Sequence, residues 1–163
     1  TPTGLVDIEV AITPARHDRG FIKAPGLSIK EIEILVDLLE RSCEEARFAW
    51  ALGITVRAVG GLKYTRDHSL PVALAIMNAF RRQQISEQYV VLGDMDLRGN
   101  VLPLSSSAVA IISDLQAAGI LDERSLLCGP LPEELRDELS DVRRHTVANI
   151  LNLPDYLSKG LVS

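Results

Sequence analysis

The segment that most constrains the fold of this chain lies between residues 89 and 108. It reads YVVLGDMDLRGNVLPLSSSA, in which two apolar stretches flank a polar stretch that contains a glycine, and three serines follow. A glycine between polar residues is typical of a tight turn, because glycine adopts backbone conformations that other residues avoid. We therefore predict a hairpin over residues 93–103, bent around residues 98–100, and a helix over about 107–118 that Gly119 ends.

Hydrophobic periodicity predicts the secondary structure of the first part of the chain. Residues 5–13 alternate between apolar and polar, which is typical of a half-buried strand, and residues 21–23 are expected to pair with this strand across a polar turn. Ser28 and Glu31 have the spacing of a capping box, which predicts a helix that runs to about Trp50.

The remaining elements are a mixture of strands and helices. Residues 54–58 are predicted as a strand, and Ser69 is expected to cap a helix that continues to Phe80. Beyond the hairpin and its helix we predict, in chain order, a strand at 126–128, a short helix at 132–139 and a closing helix at 147–157. Because strands and helices do not strictly alternate, we expect a compact α+β domain that spans residues 1–163.

Composition excludes several classes of protein. The 163 residues are about one domain in length, with 47% apolar residues and a net charge of −5, as in an ordinary folded protein. This charge and the scarcity of aromatic residues argue against a nucleic-acid surface, and the apolar run at 70–80 is far shorter than the roughly 20 residues that span a bilayer. The two cysteines and three histidines lack metal-ligand spacing, so no metal is assigned, and the thiols are expected to be reduced in a cytoplasmic protein.

The start of the chain and its lack of a phosphate loop limit what this domain can do alone. The sequence has no initiator methionine, no signal pattern and no Gly-x-x-x-x-Gly-Lys segment. We therefore expect it to be a piece of a longer polypeptide, and we predict no cofactor within the piece.

Two segments resemble the proteolytic domain of Lon-type serine proteases. Residues 93–103 are similar to the family hairpin in which Gly-Glu/Asp, Leu-Arg-Gly and Val-Leu-Pro recur at this spacing, and residues 67–75 are similar to the helix that begins with the family serine. The order of elements resembles that domain over nearly the whole chain. The resemblance implies a Lon proteolytic-domain-like fold, also described as ribosomal protein S5 domain 2-like, with mixed sheets and packed helices. It places Ser69 at the nucleophile position.

The same resemblance places an alanine where the family has its catalytic lysine. In the family, a Gly-Gly-Leu-Lys segment follows the hairpin, and its desolvated lysine takes the proton of the serine. Here residues 105–108 follow instead, and Ala108 stands at the lysine position, where a methyl group transfers no proton. Loss of the base from such a pair costs roughly 10⁴ to 10⁶ in rate. Leu70 and Pro71 replace two small residues after the serine, and Pro71 has no N–H to offer an oxyanion.

Two residues are candidates for a substitute base. Lys63 ends a Gly-Gly-Leu-Lys sequence of its own, but this sequence precedes Ser69, and the alternative is a solvated loop lysine that stays protonated. His68 directly precedes Ser69, although neighbours at a helix start rarely face each other. A triad also needs an orienting acid, and the nearby candidates are Asp67, Asp94 and Asp96. A further alternative is that Ser69 only caps its helix.

The resemblance implies two functions between which the sequence does not decide. In the first, the domain has lost peptidase activity and acts as an assembly or regulatory module of an AAA+ ATPase in a homo-oligomeric ring. ATP and Mg²⁺ are then expected only in the ATPase portion, and DNA contact only in other regions, as in the similar Lon-related protein of BREX phage-defence systems. In the second, the domain is an ATP-dependent Lon-family serine peptidase that cleaves unfolded protein with Ser69 and a relocated base. A stand-alone interaction domain is the third alternative.

Overall fold

The computed structural model describes residues 5–14, 20–47, 49, 52–60, 63–85, 88–139, 141–152 and 158–160. The helices are α1 (Ile29–Ser42), α2 (Ser69–Arg81) and α3 (Ser106–Ala117). The strands are β1 (Asp7–Pro14), β2 (Phe21–Lys23), β3 (Leu52–Val59), β4 (Gln83–Ile85), β5 (Tyr89–Leu92), β6 (Ser125–Cys128), β7 (Arg144–Thr146) and β8 (Ser158–Gly160). Short 3₁₀ turns lie at Glu44–Ala46, Arg66–His68, Glu133–Leu139 and Ile150–Asn152. The predicted α+β class is confirmed.

The first sheet has the strand order β1-β3-β2, with β3 antiparallel to β1 and parallel to β2. The expectation that residues 21–23 pair with β1 is therefore wrong, because β3 lies between the two strands. Helix α1 connects β2 to β3, and a strand–helix–strand connection places its two strands parallel in one sheet. Ile54 and Val56 of β3 are fully buried, as expected for the central strand of the sheet.

Helix α1 begins where the capping box predicts and ends earlier than expected. Ser28 accepts a hydrogen bond from the N–H of Glu31 at 3.4 Å. The helix ends at Ser42, where Cys43 turns extended and a 3₁₀ turn follows, and Trp50, its expected end, lies outside the described residues. Apolar periodicity does not mark this end, because Cys43 and later apolar residues stay buried after the helix has stopped.

Helix α2 lies at the centre of the fold, between the first sheet and the second. It packs against α1 and β1 on one side and β5 on the other, and most of its side chains are buried. The second sheet has the order β5-β6-β7 with parallel pairing, and α3 packs against it in a second apolar cluster with Leu92, Ile112 and Leu126. The short strands β4, β7 and β8 were not predicted.

The remaining predicted elements are present in outline. In the hairpin, Met95 pairs with Val101, and Gly99 has φ +82° at the bend, so the predicted turn is confirmed. Residues 133–139 form a 3₁₀ turn instead of a short α-helix. Of the predicted closing helix, only the 3₁₀ turn Ile150–Asn152 is seen, and residues 153–157 lie outside the described part of the chain. None of the described helices is both long and apolar enough to cross a membrane.

Candidate functional site

The candidate site lies where α2 begins, beside the loop that follows β5. Two backbone hydrogen bonds hold these segments together: the N–H of Gly93 donates to the carbonyl of Asp67 at 2.8 Å, and the N–H of Leu70 donates to the carbonyl of Gly93 at 3.0 Å. The first residue of the helix is Ser69. The loop after β5 is therefore bonded to Asp67 before the serine and to Leu70 after it, and these two bonds fix the position of Ser69.

The Ser69 hydroxyl is buried and already has a hydrogen-bond acceptor. The residue is 6% exposed, and its Oγ donates to the carbonyl of Arg66 at 2.6 Å. Tyr64 donates its hydroxyl to the same Oγ at 3.4 Å, and Oδ1 of Asp94 lies 3.4 Å away. A serine has one hydrogen to donate, and the carbonyl of Arg66 is much its closest acceptor.

Ser69 does not cap α2, as the sequence had suggested. The 3₁₀ turn Arg66–His68 runs directly into the helix, so His68 occupies the N-cap position and Ser69 already has helical angles, with φ −60° and ψ −46°. A capping side chain needs an extended backbone to reach the amides ahead of it. The serine hydroxyl instead points back to the carbonyl three residues earlier.

Asp94 and Tyr64 complete the polar surroundings of the serine. Asp94 accepts the N–H of Met95 at 2.8 Å and lies 3.7 Å from Nε of Arg66, whose side chain is 81% exposed. An ion pair this exposed contributes roughly 0 to 1 kcal/mol. Burial raises the pKa of Tyr64, although its bond to Ser69 opposes the rise, so the phenol keeps its proton at neutral pH.

His68 is not arranged as a base for Ser69. Its Nδ1 accepts the N–H of Thr65 at 3.0 Å, and the Thr65 hydroxyl lies 3.2 Å from the same nitrogen. Burial lowers the pKa of His68, partly offset by the carboxylate of Asp67, so the ring is neutral at pH 7. A neutral ring whose Nδ1 accepts a hydrogen bond holds its proton on Nε2, which leaves no free lone pair on the imidazole.

Ala108 lies in the first turn of α3, beside the start of α2. The two helix starts are linked because Ser105 places its hydroxyl 3.2 Å from both carboxylate oxygens of Asp67 and accepts the N–H of Ala108 at 3.0 Å. Ala108 is fully buried. The structure therefore brings the segment that holds Ala108 next to the turn that precedes Ser69. At the position where the resemblance would expect a lysine, the side chain is a methyl group.

Lys63 is not brought to the serine. The residue is exposed, and it makes no hydrogen bond or ion pair with the part of the chain that the structure describes. Residues 61 and 62, which precede it in the Gly-Gly-Leu-Lys sequence, lie outside the described residues. The described structure therefore does not place the amine of Lys63 as a proton acceptor for Ser69.

The backbone amides at the start of α2 are not free to stabilise an oxyanion. The N–H of Ser69 donates to the carbonyl of Arg66, the N–H of Leu70 donates to the carbonyl of Gly93, and Pro71 has none. From the sequence, only the missing N–H of Pro71 could be predicted. The hydrogen bond of the Ser69 amide depends on a 3₁₀ turn, and that of the Leu70 amide depends on a loop more than 20 residues away. Neither feature is marked by a local sequence pattern.

Tyr64, Arg66 and Ser105 are site residues that sequence reasoning missed. Tyr64 and Arg66 contact Ser69 only because the chain before α2 turns back on itself. The serines at 105–107 were expected to form a polar turn and a helix cap, and Ser105 does cap α3, but its contact with Asp67 was not predicted. Within the described ranges, no group of three or more His, Cys, Asp or Glu side chains is placed to hold a metal ion.

Comparison with known proteins assigns no family. No protein-family model matches this chain, and no curated protein matches it. What the site can do chemically therefore follows from its own geometry.

Proposed function

We propose that this chain is a Lon proteolytic-domain-like scaffold, of the ribosomal protein S5 domain 2-like kind, without peptidase chemistry, and that it acts as an assembly or regulatory module of an AAA+ ATPase. One observation is the main support. The buried Ser69 hydroxyl donates to the carbonyl of Arg66 at 2.6 Å, and none of its hydrogen-bond partners among the described residues is a basic nitrogen.

Serine nucleophiles need a base that accepts the hydroxyl proton as the new bond forms. A peptide carbonyl does not serve, since it orients the hydroxyl without accepting its proton. His68 has its Nδ1 occupied by Thr65, and Ala108 has no acceptor at all. With the base absent, a loss of roughly 10⁴ to 10⁶ in rate is expected.

The occupied amides at the start of α2 support the same proposal independently. Removing one oxyanion donor from a hydrolase costs about 10² to 10³ in kcat. Here Leu70 and Ser69 have their N–H groups bonded within the fold, and Pro71 has none. Proton transfer and charge stabilisation would therefore both be impaired at this serine.

The proposal retains what the Lon-like resemblance implies apart from hydrolysis. The domain would contribute ring-forming surfaces to a homo-oligomer, while ATP and Mg²⁺ would bind in an ATPase portion of a longer protein. DNA contact, in a phage-defence setting, would belong to other regions of that protein. The hydrogen bonds that Ser105 and Gly93 donate to Asp67 support this proposal, because they hold the start of α2, the start of α3 and the hairpin together without a catalytic group among them.

An active Lon-family ATP-dependent serine peptidase with a relocated base is the second candidate. The observation that favours it is the carboxylate of Asp94, 3.4 Å from Oγ of Ser69. In this candidate Asp94 takes the proton of the hydroxyl after the bond to Arg66 is broken.

A fluorophosphonate probe separates the two candidates. The complete natural polypeptide would be incubated with the probe in the presence of ATP, and adducts would be mapped by mass spectrometry with Ser69→Ala as the matched control. We expect no adduct on Ser69 and no ATP-dependent hydrolysis of unfolded casein. An adduct that disappears in Ser69→Ala would establish the peptidase.

Mass photometry tests the assembly. We expect a ring in the complete polypeptide, and a monomer at all concentrations would contradict this part of the proposal.

A further inference from the structure

A groove of about 840 Å³ runs along α2, between β1 and β5. Its walls are residues 5–10 at and before β1, residues 89–92 of β5, and the middle of α3, and its floor is one stripe of α2. This volume lies within the range of about 300 to 1,000 Å³ that is typical of ligand-binding clefts. The groove is separate from the hydrogen bonds of the Ser69 hydroxyl, although His68 lies at one end.

The two walls are strand edges. β1 is an edge strand of the first sheet and β5 is an edge strand of the second, and within the described part of the chain neither pairs on its other side. Side chains alternate between the two faces of a strand, so a groove lined by consecutive residues of both strands runs along their backbones. The groove therefore presents unpaired backbone N–H and C=O groups, which are the groups that pair with an added strand.

The floor is shallow, apolar and contains one unsatisfied polar group. Pro71, Ala75 and Ala79 are half-buried and lie one turn apart on α2, where small side chains leave room for an occupant. Asn78, on the same stripe, is 6% exposed, and its Oδ1 has no hydrogen-bond partner. This oxygen is itself shielded from solvent, so the groove is bounded at this point by the apolar part of the stripe.

The β1 wall is acidic. Asp7 and Glu9 are exposed on the strand, and Glu9 is paired with Arg57 across the sheet. Asp7 makes no hydrogen bond or ion pair with any residue that the structure describes. Of the lining residues, Arg124 is the single lysine or arginine. An occupant with positive charges at alternate positions would match Asp7 and Glu9 on the solvent side of β1.

We propose that this groove binds an extended peptide segment with alternating basic and apolar residues, added as a strand to the free edge of β1. The apolar side chains lie over the α2 stripe, and the basic ones face Asp7 and Glu9. The proposal does not depend on the chemistry of Ser69, so it goes beyond the proposed function.

The test uses an N-acetylated, C-amidated octapeptide in which lysine alternates with valine, titrated into the protein and followed by amide hydrogen exchange. We expect slower exchange at the β1 amides that point away from β3. Ala75→Glu, which fills the floor with a charge, and Asp7→Lys, which reverses the charge of the wall, are each expected to weaken binding about tenfold or more. Ile34→Glu, at an exposed apolar position on α1 outside the groove, is the matched control and leaves binding unchanged.

Several outcomes would overturn the proposal. Unchanged exchange at β1 would do so, as would normal binding by Ala75→Glu or equal binding of an octapeptide with glutamate in place of lysine. Protection of β1 that rises with protein concentration without peptide would mean that a second copy of the chain fills the groove. Cleavage of the bound peptide would contradict the proposed function and leave the groove proposal standing, whereas absence of binding leaves the proposed function untouched.

Discussion

The Ser105 hydroxyl lies 3.2 Å from both carboxylate oxygens of Asp67, and it also accepts the N–H of Ala108 at 3.0 Å. One side chain therefore caps α3 and ties this helix to the turn that leads into α2. Because Asp67 also accepts the N–H of Gly93 through its carbonyl, the starts of both helices and the hairpin loop meet at this aspartate. The arrangement at Ser69 depends on this junction.

Ser105→Ala tests how much the junction stabilises the fold. Loss of an N-cap costs about 0.5 to 2 kcal/mol, and the bond to Asp67 is lost with it, so we expect unfolding to be easier by roughly 1 to 2 kcal/mol. Urea denaturation followed by circular dichroism measures the difference. Ser106→Ala is the matched control, since this exposed serine makes no such cap, and it should change stability by less than about 0.5 kcal/mol. Equal effects of the two substitutions would contradict the role of Ser105.

Ala108→Lys tests whether a missing amine is the only defect of the site. Ala108 is fully buried, so an ammonium group there has no room and no water, and we expect a loss of stability of roughly 2 to 5 kcal/mol. Ala108→Met is the control for size without charge. Where the lysine variant stays folded, we expect no fluorophosphonate adduct on Ser69, because the amide of Leu70 remains bonded to Gly93 and Pro71 offers none. An adduct would mean that the lysine alone restores reactivity.

Local signals predicted the parts of the fold that depend on neighbouring residues. The cap at Ser28, the bend at Gly99 and the end of α3 before Gly119 are all present, since each depends on the backbone preference of one residue and on side chains within one turn of it. The pairing of β2 with β3, and the three-residue strands β4 and β7, depend on partners far along the chain. Short strands of this kind have too few residues to show a period of two.

The places of Ser69 and Ala108 in the secondary structure were predicted, and the contacts around them were not. The sequence placed Ser69 at the start of a helix and Ala108 near the start of another, and both positions are as expected. It did not predict that Ser69 bonds to Arg66 instead of capping, because that requires a 3₁₀ turn before the helix. Nor did it predict that Thr65 occupies Nδ1 of His68. The roles of these residues in any reaction stay predictions.

The protonation of His68 makes stability depend on pH in a predictable direction. Burial lowers the pKa of His68 below its usual value of 6.5, with a smaller opposing effect of Asp67. The unfolded chain therefore binds the proton more readily, so stability is highest above pH 6.5 and falls as the pH drops through the folded-state pKa. Protonation would also break the bond that Thr65 donates to Nδ1.

His68→Asn isolates this contribution. The asparagine oxygen can still accept from Thr65 and does not titrate, so we expect a smaller loss of unfolding free energy between pH 7.5 and pH 5 than in the natural protein. Urea titrations at the two pH values measure it, and the common contribution of the carboxylates cancels in the comparison. An identical loss in both proteins would show that His68 is not the titrating group.

The two cysteines provide a test of the core that is independent of the site. Burial raises the pKa of Cys128 to about 11, with Arg144 opposing the rise, and burial with a hydrogen bond to Glu45 raises the pKa of Cys43. Both thiols are fully protonated and inaccessible at pH 7.5, and only a thiolate reacts quickly with disulfide reagents. We expect no reaction with Ellman's reagent in the folded protein within minutes, and two equivalents in concentrated urea. Rapid reaction of one thiol in the folded state would mean that the packing around it is wrong, and mass spectrometry of the product would show whether Cys43, just after α1, or Cys128 of β6 is affected.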